Sequence, residues 1–184
     1  MFDKFMQFRE SAGWKVLKWI QELMIVVSAS AATLIFVVEV LIRYILKIDF
    51  LGFDEWVLLF ASWLYFMGGS YAMYKKEHIS ADMLPLFLKG RVLQITRVVV
   101  GWVLFAITVV LAVWGVDYFT YAVSRTQNTT VWKIPLIVSQ ASLSVGYILM
   151  AFYGLVYAIE DTVIAVADGK KIREEKSRKG DCEL

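Results

Sequence analysis

The sequence predicts an all-α integral membrane protein with four transmembrane helices, flanked by amphipathic helices in the interface and with both termini in the cytoplasm. Three observations carry that prediction. Of the 184 residues, 59% are apolar and only 20% charged, with a mean hydropathy of +0.62, whereas soluble domains run nearer half apolar and a quarter charged. Long stretches of chain hold no formal charge. Lys and Arg are dense in every second segment between those stretches and sparse in the others.

Taken in order, residues 2–20 place Phe2, Phe5, Met6, Val16, Leu17 and Ile20 at helical spacing, with the charged residues mainly elsewhere. That pattern predicts a helix lying in the inner interface; a plain extension of the first span is the alternative. The first span is expected at about 22–43. Its clean stretch, Leu23 to Val38, has 16 residues, near the lower limit for crossing. Glu22 and Glu39 bound it, where charge costs less than the roughly 2.5–3.5 kcal/mol of the span centre. Glu39, Arg43 and Tyr44 follow where a cleaved leader would carry small residues. Trp56 to Tyr74 and Val98 to Val116 are charge-free runs of 19 residues each, and Ile134 to Ile159 is one of 26. Nineteen residues at 1.5 Å rise cover roughly 28 Å, which matches the hydrocarbon core. Spans are therefore expected at about 56–74, 97–118 and 134–159. Met83 to Leu88 is too short to cross, and with Pro85 in its first turn predicts a short flat helix at about 82–89. Residues 1–167 read as one domain and 168–184 as a charged, disordered cytoplasmic tail.

Of the 19 Lys and Arg residues, 15 fall in the N-terminal tail, the segment between spans two and three, and the C-terminal tail; four fall in the other two loops. The positive-inside rule places both termini in the cytoplasm, as an even number of spans requires. Tyr44, Trp56, Tyr118, Tyr121 and Trp132 are expected to ring the outer interface, and Trp14, Trp19, Tyr74 and Tyr157 the inner one.

Little chemistry is on offer. One cysteine, Cys182, and one histidine, His78, exclude a disulfide framework, a thiolate zinc site and a bis-histidine haem. The expectation is no cofactor, no metal and no enzymatic activity. The hydroxyls within the spans have no neighbouring base to activate them and suit helix contacts or bonds to their own carbonyls. Glu39 is the one residue on which a self-sufficient four-span exporter could turn. It stands about 9 Å outside the span centre, where an ion pair with Arg43 one turn later is the preferred reading. Contact surface is plentiful: Ser28, Ala29, Ala31 and Ala32 in the first span, Gly68, Gly69 and Ser70 in the second, and Ser142, Gly146 and Gly154 in the fourth. The third span is bulkier and expected to face lipid. These small faces suit packing within the bundle, a second protein, or both.

Arg43-Tyr44 closes the first span, and Phe53-Asp54-Glu55-Trp56 opens the second. Trp63 through Gly68-Gly69 continues it, and Lys75-Lys76-Glu77-His78-Ile79-Ser80-Ala81-Asp82 follows. Over these forty residues the chain resembles the small, DctQ-like membrane subunit of TRAP (tripartite ATP-independent periplasmic) transporters. Asp54 stands where a second glutamate is commoner, and Ala81 where a larger aliphatic residue is. The resemblance implies a non-catalytic scaffold in a bacterial inner membrane. Its partners would be a large membrane subunit that moves the substrate with sodium, a periplasmic binding protein that docks transiently, and lipid. No nucleic acid and no direct substrate contact are expected, and the cargo would be an organic acid of the dicarboxylate or sialic acid type. Position and resemblance together make Arg43 with Glu55 or Asp54 an expected clasp between the outer ends of spans one and two. Asp82, with Ser80, and His78 would organise the inner loop. Asp49, Asp54, Arg125 and Lys133 would face the binding protein.

Overall fold

The computed structural model describes residues 12–48, 51–75, 91–125 and 127–180. Helix α1 runs Ala12–Leu41 and ends in a π-helical turn, Ile42–Leu46. Helices α2 (Phe53–Tyr74), α3 (Arg91–Arg125) and α4 (Leu136–Gly180) follow. Each of the four is long and apolar enough to cross a bilayer. The π turn stops at Lys47, whose φ of 53° reverses the backbone. Gly52, at φ 86°, then launches α2.

The helices are longer than the charge-free windows because lysine, arginine and glutamate are good helix formers once outside the apolar layer. Residues 12–20, expected as the latter part of an interfacial helix, are continuous with the first span; residues 2–11 lie outside the described residues. The expected flat helix at 82–89 lies outside them as well. The backbone beyond 168, expected as a disordered tail, continues α4 helically to Gly180.

Packing follows the order α1, α2, α4, α3: α1 lies against α2, α2 against α4, and α4 against α3. The spans therefore form a layer with α1 and α3 on its flanks, and α4 is the most buried of them. Two ends can be distinguished: a tail end, with the start of α1 and the close of α2, and a loop end, with residues 42–48, 51–55 and 127–135.

The layer is inside-out by the standards of a water-soluble protein. Four residues of α1 are buried, Trp14, Gln21, Ser28 and Glu39, while Val26, Val27, Leu34 and Phe36 are exposed. Polar groups seek partners between helices because lipid offers none, and aliphatic side chains face the tails. Trp14, Gln21 and Ser28 recur every seven residues, the spacing of a left-handed helix contact.

Glycine sets how closely the backbones approach. A Cβ on Gly146 would stand 2.6 Å from the Cβ of Phe66 and 3.0 Å from its carbonyl oxygen. Here α4 crosses the main chain of α2. Gly115 meets Ser144 of α4 in the same manner, with Ser144 Oγ donating to the Gly115 carbonyl at 2.7 Å.

Candidate functional site

At the loop end Glu55 stands in the first turn of α2, and its carboxylate is taken up by the connection between α3 and α4. The Val131 N–H donates to Oε1 at 2.8 Å, the Trp132 N–H to Oε2 at 2.9 Å, and Thr130 Oγ1 to Oε1 at 3.1 Å. The connection is closed on itself: Thr129 N–H bonds the Ile134 carbonyl, Ile134 N–H bonds Thr129 Oγ1, and Leu136 N–H bonds the Gln127 carbonyl. A compact turn thus points successive donors at one carboxylate, the arrangement that holds a carboxylate charged. Trp56 and Trp132 meet edge to face at 6.3 Å beside it. Gly52 completes the fit, since a Cβ there would lie 2.7 Å from the Trp132 ring.

This arrangement corrects the expected clasp. Glu55 ties α2 to the α3–α4 connection, and Arg43 turns back along its own helix to Glu39, at 3.6 Å. The reason is geometric: the donors of residues 130–132 converge above Glu55, while Glu39 lies one helical turn from Arg43. Asp54 is exposed at the helix start. Arg125 stacks its guanidinium over Tyr121 at 5.1 Å, and Lys133 is exposed with φ 50°. Glu55, Trp56 and the residues beside Lys133 are brought together; Gly69 and Gly146 close the contact between α2 and α4, whereas a Cβ on Gly68 would meet open space. Asp49, His78 and Asp82 lie outside the described residues.

The tail end holds a cluster that the span-by-span inventory passes over. Gln21 Nε2 donates to Ser70 Oγ at 2.9 Å, and the Tyr153 hydroxyl donates to Gln21 Oε1 at 2.8 Å. Ser70 in turn donates to the Met67 carbonyl. Gln21 and Tyr153 are each 1% exposed and Ser70 is fully covered. Three helices are joined through one buried amide. Trp14 packs on Tyr74, Phe152 and Tyr153 at 5.4–6.0 Å, and the Tyr157 hydroxyl donates to the Tyr74 carbonyl. Trp14 and Tyr157, expected to ring the interface, are therefore core residues; each finds its polar or aromatic partner inside. A signal for Gln21 was present in its seven-residue interval to Trp14 and Ser28, just outside the window bounded by Glu22.

Chemically, both clusters consume their polar groups in holding helices together. Among the described residues, no three His, Cys, Asp or Glu side chains converge as a metal site would require. Comparison with curated proteins gives no match. Residues 32–163, from within α1 to within α4, match the family described as "Tripartite ATP-independent periplasmic transporters, DctQ component". Four apolar spans tied by internal polar contacts, together with a match over most of its length, place this chain in the DctQ family of small TRAP transporter membrane components.

Proposed function

We propose that the chain is a static, non-catalytic brace in an inner-membrane TRAP uptake system. In this reading it is held against a large membrane subunit that moves an organic acid with sodium. The observation that carries the reading is the fate of five polar side chains buried in the layer. Gln21, Ser70 and Tyr153 satisfy one another, Ser144 bonds the Gly115 carbonyl, and Glu39 pairs with Arg43. A carrier acting alone keeps ionisable groups or broken helices near mid-depth for its cargo; these side chains are committed to helix contacts. The charged, exposed loop-end residues Asp54 and Lys133, with Arg125, are where a binding protein delivering cargo would dock. Both termini are assigned to the cytoplasm by the Lys and Arg asymmetry.

The test is reconstitution. The purified chain alone in proteoliposomes should give no solute flux under sodium or proton gradients. The same chain co-expressed with its transporter's large membrane subunit should co-purify with it. Flux from the chain alone that vanishes in Glu39→Gln would replace the brace with a self-sufficient exporter.

A further inference from the structure

Helix α2 has three faces, and two are occupied. Ser62, Phe66 and Gly69 meet α4, through Ser139, Gly146 and Met150. Ser70 and Tyr71 meet α1, through Gln21 and Glu22. The third face carries Leu58, Ala61, Tyr65, Gly68 and Ala72, spaced alternately three and four residues apart. That is the seam spacing of a left-handed helix pair. Leu58 and Tyr65 are exposed, Tyr65 by 77%, and a Cβ added at Gly68 would meet nothing within 4 Å.

Tyr65 sets this face apart from ordinary lipid-facing surface. It is the middle residue of the charge-free run Trp56 to Tyr74, and its hydroxyl makes no hydrogen bond among the described residues. A serine or threonine on a helix can bond its own i−4 carbonyl; a phenol is too long to do so. Nor can the ring lift its hydroxyl across the roughly 15 Å from mid-depth to the headgroups. In acyl chains that donor stays unsatisfied, at a cost lipid cannot offset. A hydroxyl there calls for an acceptor on another helix.

We propose that this face of α2 is the docking seam for a transmembrane helix of the large membrane subunit. The incoming helix presents small residues to Gly68 and Ala72 and a hydrogen-bond acceptor to Tyr65 at mid-depth. A second copy of this chain fits the seam poorly, because a two-fold pairing brings two bulky Tyr65 rings to the crossing and holds the small residues apart. The inference rests on the brace reading and adds where the brace is gripped.

The experiment uses the full chain co-expressed with its large membrane subunit and captured by a tag on that subunit. Gly68→Leu has room within the chain, so it should fold as the parent does and yet co-purify at least about tenfold less. Tyr65→Phe should lose about threefold, the size of one interhelical hydrogen bond in a membrane. In a Cys182→Ser background, Ala61→Cys and Ala72→Cys should crosslink to the large subunit, and Val113→Cys on α3 should not. Parental capture of both Gly68→Leu and Tyr65→Phe would overturn the seam, as would crosslinking from Val113→Cys alone. A crosslinked product of two 21.1 kDa chains would give the seam to a second copy. Failure of the unaltered chain to co-purify is a separate result and removes the brace reading itself.

Discussion

The Glu55 carboxylate gathers the Val131 and Trp132 amides and the Thr130 hydroxyl into one knot, so its substitutions should rank by the acceptors they keep. Gln retains one acceptor oxygen and can serve only part of the turn; Ala retains none. Hydrogen exchange at residues 129–134 should accelerate in the order parent, Glu55→Gln, Glu55→Ala, and equal protection in all three would show that the carboxylate does not hold the turn. Gly52 is the partner in this fit. Gly52→Ala places a Cβ 2.7 Å from the Trp132 ring on a backbone at φ 86°, and the backbone term alone costs about 1–2 kcal/mol. A drop in melting temperature together with loosened Trp132 fluorescence is expected. Neither effect was legible in the sequence. The acidic pair before Trp56 stood out, but nothing in its spacing names a partner 75 residues away.

Among the elements, α1 was the hardest to read and is the most informative in place. Its apolar run looked short because Glu22 and Glu39 bound it, yet the helix buries Glu39 and, just outside that run, Gln21. A window that rewards hydrophobicity discards the residues a membrane helix uses for contact. Removing the Gln21 amide leaves the Tyr153 hydroxyl unpaired in the core, so Gln21→Ala should cost about 1–3 kcal/mol. A double-mutant cycle of Gln21→Ala with Tyr153→Phe, measured by reversible denaturation in mixed micelles, should show coupling of about 0.6–1.7 kcal/mol. Coupling near zero would mean the hydrogen bond is incidental to the packing of Trp14 around it. The small residues of α2 and α4 were legible as contact surface, but not which contact each makes. Gly69 and Gly146 close the α2–α4 crossing, while Gly68, one residue away, opens outward. Adjacent positions on a helix point about 100° apart, and composition alone cannot say which of them meets a neighbour.

At the scale of the whole molecule, four spans were legible because charge is excluded from the apolar layer; their order was not. The layer α1, α2, α4, α3 depends on which small faces match, and several pairings would satisfy the same inventory. Orientation is the remaining global property, and the proposed one rests on electrostatics at the loops. Fifteen Lys and Arg residues lie in the tails and the 75–97 segment against four in the loops at 43–47 and 125–133. Each of those segments is short enough for its positive charge to resist translocation. The single cysteine, Cys182, makes a native reporter for the tail side. In intact spheroplasts a membrane-impermeant maleimide should leave the parent chain unlabelled and modify it after lysis. In a Cys182→Ser background, Asp54→Cys should be labelled before lysis. Labelling of Cys182 in intact spheroplasts would invert the molecule: the Glu55 knot would face the cytoplasm, where no periplasmic protein could reach Lys133 or Arg125. The seam on α2 would survive that inversion, since it lies at mid-depth and depends on a lateral neighbour, not on which compartment each end of the layer meets.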